Sequence, residues 1–266
     1  MLKKYSIKFS FYFLSFILCC TFSYGQARFI ENIGQLPKNV FAKSNVDGGV
    51  LFIEKAKLTF AFFDQKKINE IHSNKNSDNV INTHAYSMEF LNSSPSARVS
   101  LLQKNNYYEN YYVGDKYLEN AHFFSKVFQK GIYNNIDLIL YSRNNQLKYD
   151  IIIQPQADYE KIKIKYKGHE NIRLSNGNLI IQNSFNSITE LAPYAYQVFN
   201  SDTVEVKCNY VLKNNHVSFA FPNGYVGSEK IIIDPTIIFS TYSGSNSNNF
   251  GFCLLYTSDA ADEEDS

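Results

Sequence analysis

The sequence predicts an all-β fold, built as one large or two consecutive antiparallel β-sandwich lobes. Three observations support this prediction. Apolar and polar residues alternate with a period of two, turn-forming residues separate the alternating segments, and no stretch of the chain shows a convincing helical period. The segment Tyr107–Tyr117 has room for one helical turn at most. The 266 residues suffice for one large domain or two small ones.

The segment Ile162–Lys167 shows the alternation most clearly, because Ile162, Ile164 and Tyr166 share one face and three lysines share the other. Continuous apolar runs at Leu58–Phe63 and Ile151–Ile153 predict strands that are covered on both faces. Asn and Gly tolerate the positive φ angles of tight hairpins. They separate the predicted strands at 47–49, 143–145, 176–178, 214–215 and 222–224.

Changes in composition divide the body of the chain into two predicted lobes, residues 26–119 and 120–236. The first lobe contains a polar stretch, residues 68–83, which has little to bury and is predicted to be a flexible loop. The boundary near Asn120 follows a cluster of tyrosines. The second lobe ends at Asp234-Pro235, because proline cannot continue a strand ladder.

The composition excludes several classes of protein. At 44% hydrophobic and 16% aromatic residues, the chain is too apolar for a collagen, a coiled coil or a disordered tail. The net charge of +1 argues against nucleic acid as the main partner. No cofactor-binding motif is present, and the five histidines are too scattered in the sequence to suggest a metal site.

The first residues have the layout of a secretory signal peptide, residues 1–25. A basic segment contains Lys3, Lys4 and Lys8, and an apolar run follows that is too short for a typical membrane span. Small residues precede a predicted cleavage between Gly25 and Gln26. We therefore expect an exported protein whose mature chain has no membrane span.

Removal of the signal peptide and of the last residues leaves Cys208 as the only cysteine, so no intrachain disulfide is expected despite export. Its neighbours Val206 and Tyr210 predict that Cys208 is a core residue. The strand carboxylates Asp137 and Asp150 are expected to bond turn amides. Two facing carboxylates would suit a glycosidase, but their spacing in the sequence does not place them together.

Two short segments suggest surface chemistry. The tyrosines Tyr107, Tyr108, Tyr111 and Tyr112, with Tyr117 nearby, form a possible glycan-stacking platform, although such clusters are also ordinary core material. The segment Asp202-Thr203-Val204 resembles a short acceptor pattern for O-glycosylation in exported bacterial proteins. Modification of Thr203 would require that this residue lie exposed at the start of a strand.

Several segments together resemble a large family of exported bacterial proteins whose N-terminal domain has no known function. The opening Phe29–Pro37 (FIENIGQLP) is similar to the family's "FIENKGQWP", with Leu36 where Trp is common. Further similar segments are 48–52, 58–60, 108–114, 131–138, 147–150, 190–197 and 232–236. The family carries no established catalytic residues, so the resemblance implies none here.

The resemblance also implies what surrounds the domain. In that family the domain precedes SBBP-type β-propeller repeats, and residues 237–252 look like the start of a first, truncated repeat. Many relatives end in gliding-motility-associated or type IX secretion sorting domains. The expected location is therefore extracellular or on the outer surface of a Gram-negative bacterium. Residues 253–266 resemble the translation of a sequencing adapter, so the natural protein is expected to continue beyond Phe252.

The resulting hypothesis is a non-enzymatic N-terminal domain with a structural, adhesion or partner-presentation role. Its expected partners are its own C-terminal propeller and surface glycans or proteins. One alternative is a carbohydrate-binding module that uses the tyrosine cluster. Another is the accessory domain of a hydrolase whose catalytic part lies beyond residue 252. Sequence beyond that residue would distinguish them, because propeller repeats support the first hypothesis and a catalytic motif supports the last.

Overall fold

The structure, a computed structural model, describes residues 28–73, 80–143, 146–200 and 202–240. This part of the chain contains nineteen strands, one α-helix and one short 3-10 helix. The all-β prediction is confirmed. The predicted signal peptide with its cleavage site at Gly25 and Gln26, and residues 241–266, lie outside the described residues.

The strands of the first half are antiparallel to their neighbours and run from three to eighteen residues. They are β1 (Phe29–Glu31), β2 (Val40–Val46), β3 (Gly49–Glu54), β4 (Lys57–Phe63), β5 (Thr83–Phe90), β6 (Arg98–Val113), β7 (Lys116–Tyr133), β8 (Ile136–Arg143) and β9 (Gln146–Ile153). Helix α1 (Gln65–His72) lies between β4 and β5.

The second half has shorter strands, which the 3-10 helix Tyr159–Lys161 precedes. They are β10 (Ile164–Lys167), β11 (Asn171–Ser175), β12 (Asn178–Gln182), β13 (Ser187–Glu190), β14 (Tyr194–Phe199), β15 (Asp202–Val206), β16 (Asn209–Lys213), β17 (His216–Ala220), β18 (Ile231–Asp234) and β19 (Ile237–Ser240).

The long strand β7 is the branch point of the larger sheet. One of its edges pairs with β6 along most of its length, and its other edge pairs with β8 in one part and with β1 in another. Two arms therefore extend from β7. The β8 arm has the order β8-β9-β18-β14-β15, and the β1 arm has the order β1-β2-β3-β4-β5-β10-β17-β16.

A four-stranded sheet with the order β11-β12-β13-β19 packs against both arms. Its residue Glu190 contacts Tyr149 of β9 and Tyr166 of β10. Strands β9 and β10 belong to different arms of the larger sheet. The small sheet therefore joins the two arms through Glu190.

The core follows the predicted alternation and forms one continuous cluster across both arms and the small sheet. Ile162, Ile164 and Tyr166 are fully buried, which confirms the predicted inward face of this segment. The run Leu58–Phe63 differs from the prediction of burial on both faces. Its even-numbered residues are buried, whereas the odd-numbered ones are half-buried. Its second face is therefore partly open to solvent.

The predicted lobe boundary near Asn120 falls inside β7, which is continuous across that position. Buried Gln129 of β7 also links the segments on either side of it. Its Oε1 accepts from the backbone N of Ala56 at 2.7 Å, and its Nε2 donates to the backbone O of Glu54 at 3.1 Å. The two predicted lobes thus share a strand, a sheet and a core.

The predicted loop 68–83 begins as a helix, because α1 extends to His72, and it ends in strand β5, which starts at Thr83. Asp64 caps α1, since its side chain accepts from the backbone N of Lys67 at 3.0 Å. No residue of α1 is buried, and Ile68 and Ile71 are its only apolar residues. Residues 74–79 lie outside the described part of the chain.

Residues 237–240, predicted to begin a propeller repeat, form strand β19 and pair with β13. Phe239 packs on two buried aromatic rings of β4, with centroid distances of 6.0 Å to Phe60 and 6.1 Å to Phe62. The strand that follows Pro235 is therefore integrated into the core of this domain.

Candidate functional site

The outer part of the β6–β7 hairpin, residues 105–121, projects beyond the other strands and is called here the tyrosine hairpin. The β1 strand pairs with β7 only at Phe123 and Phe124, so the residues nearer the tip pair only across the hairpin. The segment Tyr107–Tyr117 is extended on both sides of the turn at Gly114. The helical turn for which the sequence left room is not formed there. Gly114 has a φ of +58° with open space around it.

One face of the tyrosine hairpin presents Tyr108, Tyr112 and Tyr117. Tyr112 and Tyr117 are directly opposed and their rings stack at 4.7 Å, while Tyr108 meets the ring of His122 edge-on at 5.9 Å. Tyr112 is 82% exposed, and the other two tyrosines are about half exposed. Partial burial and the neighbouring Tyr112, Glu119 and Tyr108 raise the pKa of Tyr117, as expected for side chains that share this face.

The opposite face carries Tyr107 and Tyr111, and both rings are covered by cations. The Arg28 guanidinium lies 4.9 Å from the centre of the Tyr107 ring, and the Lys43 ammonium lies 4.9 Å from that of Tyr111. The Tyr111 hydroxyl also donates to Glu109. Burial, followed by this contact, raises the pKa of Tyr111.

The four tyrosines predicted to form one platform are therefore divided between two faces. Tyr108 and Tyr112 share one exposed face with Tyr117, whereas Tyr107, which is 61% exposed, and half-buried Tyr111 lie on the other face with cations over their rings. Strand alternation with bulges near residues 104–111 explains the division, and the position of those bulges was not visible in the sequence.

The structure brings Asp150 next to a carboxylate that the sequence did not suggest as its neighbour. Ile151 pairs with Ile233, so Asp150 comes opposite Asp234 on the adjacent strand. Lys148 forms an ion pair with Asp234 at 2.8 Å, and the Tyr141 hydroxyl donates to Asp150 at 2.9 Å. Burial and the charge of Asp234 raise the pKa of Asp150 to about 6.

The other singled-out residues have simpler surroundings. Asp137 accepts from the backbone N of Gly131 at 2.7 Å, an amide at an irregularity inside β7 and not the turn amide that was predicted. Cys208 is buried, and burial raises the pKa of its thiol to about 12, which does not suit a nucleophile. Thr203 is exposed near the start of edge strand β15, as its modification would require, and that modification stays a prediction.

The most deeply buried charged side chain of the core cluster is Glu190, which sequence reasoning missed. Tyr149 donates to its Oε2 at 2.8 Å, Tyr166 donates to its Oε1 at 2.7 Å, and the Tyr210 hydroxyl lies 3.5 Å from Oε2. Burial raises the pKa of Glu190, and these hydroxyl donors oppose the rise. Alternation with buried Ile188 was the signal that Glu190 points inward.

Two searches of the described residues gave no candidate. No group of three or more His, Cys, Asp or Glu side chains in this part of the chain is arranged to hold a metal ion. No helix among residues 28–73, 80–143, 146–200 and 202–240 has the length and hydropathy to cross a membrane.

Comparison with known proteins gives one match. The family model described as "Domain of unknown function (DUF7948)" matches residues 29–236, which is most of the described chain. Searches of curated proteins and of solved structures found no match. The matched range ends before β19, although that strand contributes to the small sheet.

Proposed function

We propose that this chain, which belongs to the DUF7948 family of domains of unknown function, is a non-catalytic binding domain of an exported protein. Its task is adhesion or partner presentation on the outer surface of a Gram-negative cell, as a layered β-sandwich ahead of a propeller. The tyrosine hairpin is the part that contacts the partner.

The observation that carries this proposal is the exposure of Tyr108, Tyr112 and Tyr117 on one face of a projecting hairpin. Exposed tyrosines are enriched at binding surfaces because each ring provides a large apolar area together with a hydroxyl, and few rotatable bonds are ordered on binding. Among the described strands, β6 pairs with β7 alone, so its other edge has no strand partner in this part of the chain. Such an edge can pair with a strand of another protein.

The surroundings of the other polar side chains support a non-catalytic role. Asp137 and Glu190 bond groups of their own domain, and Cys208 is a buried thiol. The integration of β19 into the small sheet supports a role in holding the start of the next module, since that strand is covered on one edge by β13.

The experiment compares binding of the purified chain to intact Gram-negative cells. Double substitution of Tyr112 and Tyr117 by Ala should reduce cell binding at least tenfold, because it removes the stacked pair from the tip. The control Tyr107→Ala changes a tyrosine on the opposite face and should bind within about twofold of wild type. Equal binding by the double variant and wild type would overturn the proposal.

Carbohydrate binding by the same face is the second candidate, favoured by the outer ring surface of Tyr112. A glycan array distinguishes the two. Glycan binding that Tyr112→Ala abolishes supports the carbohydrate-binding module, whereas tyrosine-dependent cell binding without any glycan signal supports a protein partner.

A further inference from the structure

A polar pocket of about 280 Å³ lies beside the small sheet. None of the residues that line it belongs to the tyrosine hairpin. Its walls are Glu170, Gln182 and the β12–β13 loop, residues 183–187. Phe185 is the one apolar side chain among these residues. The sequence contains no motif that marks this site.

The loop holds its shape without a ligand. The buried side chain of Asn183 accepts from the backbone N of Phe185 at 2.8 Å and from that of Asn186 at 3.0 Å. Asn183 and Asn186 are also joined through their side-chain amides. A loop whose shape is fixed in advance loses little conformational entropy when a ligand binds.

A chain of hydrogen bonds fastens the loop to two other segments. The Ser184 hydroxyl donates to Oε1 of Glu170 at 2.7 Å, and its Oγ lies 2.8 Å from Nδ1 of His84. The other ring nitrogen of His84 donates to the backbone O of Gly168 at 2.6 Å. Gly168 has a φ of +83°, and a Cβ there would lie 2.5 Å from the backbone O of Ala85, so this turn requires glycine.

The arrangement suits binding better than nucleophilic catalysis, although it places Ser184 beside His84. The single proton of the Ser184 hydroxyl has two acceptors within reach, Oε1 of Glu170 at 2.7 Å and Nδ1 of His84 at 2.8 Å, so the carboxylate competes with the histidine for it. The backbone N–H groups of Phe185 and Asn186 are bound to Asn183 and do not form a free oxyanion hole.

The polar groups of the pocket define the ligand. Oε1 of Gln182 accepts from Asn171 at 3.2 Å, which leaves the Gln182 amide hydrogens as donors towards the pocket. Glu170 offers its second carboxylate oxygen as an acceptor beside them. A sugar hydroxyl both donates and accepts, so it matches a carboxylate next to an amide donor. The negative charge of Glu170 disfavours anions, and the polar walls disfavour lipids.

We infer that this pocket binds a single hydroxyl-rich ring, such as the terminal monosaccharide of a surface glycan. The pocket is shallow and open to solvent, and its volume of about 280 Å³ is enough to seat one ring. It is a second binding site, and the inference does not depend on the function proposed for the tyrosine hairpin.

The test is saturation-transfer-difference NMR of the full chain with the methyl glycosides of glucose, galactose, mannose and N-acetylglucosamine. At least one of these sugars should bind with a Kd of about 1 mM. Gln182→Ala and Glu170→Gln should each weaken that binding at least tenfold. Glutamine at position 170 can still accept from Ser184, and thermal unfolding of both variants checks that the fold is kept.

Two controls separate this site from other surfaces. Gln146→Ala changes an exposed glutamine of β9, and it should bind the sugar as wild type does. Tyr112→Ala should also leave this binding unchanged, even where it abolishes cell adhesion. The inference is overturned if no sugar of the panel gives a signal. It is equally overturned if both pocket variants keep wild-type affinity, or if only Tyr112→Ala loses it.

Discussion

The hydroxyl of Tyr149 donates to Oε2 of Glu190 at 2.8 Å, and this bond joins the β8 arm of the larger sheet to the four-stranded sheet. Tyr166 makes the corresponding bond from the β1 arm. Glu190 thus lies where three parts of the fold meet. A buried carboxylate is costly unless hydrogen bonds compensate it, so the tyrosine hydroxyls are part of what keeps these layers together.

The first prediction concerns the hydroxyl of Tyr149. Tyr149→Phe keeps the ring but removes a donor to a buried carboxylate, so it should lower the free energy of unfolding by about 2 kcal/mol. Urea denaturation followed by tyrosine fluorescence measures this change.

Tyr86→Phe is the matched control for this prediction. Tyr86 is just as buried, but its hydroxyl has no hydrogen-bond partner among the described residues. Its removal should change the free energy of unfolding by less than about 0.5 kcal/mol or increase it slightly. Equal losses for the two variants would show that packing, not the bond to Glu190, explains the effect.

The second prediction concerns pH and Asp150, whose pKa is raised from 3.8 to about 6 in the folded state. Between these values the folded state binds more protons at this group than the unfolded state does. The contribution of Asp150 to stability is therefore present below about pH 4 and is lost as the pH rises to about 6.

Asp150→Asn removes this titration while its side chain can still accept from Tyr141. After allowance for solvent screening, the variant should be more stable than wild type by about 1–2 kcal/mol at neutral pH. The difference should be close to zero near pH 4. Denaturation curves at both pH values measure it, and the exposed Asp202→Asn provides the control. A constant difference at all pH values would contradict the assignment.

The third prediction tests whether β19 belongs to the domain. Phe239 lies beyond the family match but packs on Phe60 and Phe62, so Phe239→Ala should cost about 2–3 kcal/mol in the free energy of unfolding. Phe41→Ala replaces a phenylalanine that is 38% exposed, and it should cost about 1 kcal/mol or less. If the two variants were equally stable, β19 would not contribute to the core.

Much of the fold could be predicted from the sequence because alternation is a local signal. Ile162, Ile164 and Tyr166 face the core as their spacing indicated. Helix α1 was missed because it is only eight residues long, and its two apolar residues, Ile68 and Ile71, are too few to distinguish it from the polar stretch around it. The branch at β7 was missed because pairing partners are set by contacts between residues far apart in sequence.

The candidate sites were predictable only in part, for the same reason. The tyrosine cluster could be recognised from its composition, but two register shifts between β6 and β7 decide on which face each ring lies. Asp150 lies opposite Asp234, which is 84 positions away in sequence, and His84 contacts Ser184, which is 100 positions away. No local sequence pattern predicts either pair.

The branch at β7 has a mechanical consequence. A force applied to the tip of the tyrosine hairpin is transmitted along β7, where it divides between the two arms. It does not act on a single strand at a sheet edge. From the arms, tension reaches the segment after β19 through the tyrosine contacts of Glu190 and the β13–β19 ladder. The force that the domain withstands is therefore set at the junction around Glu190, whose contacts share no residue with the tyrosine hairpin.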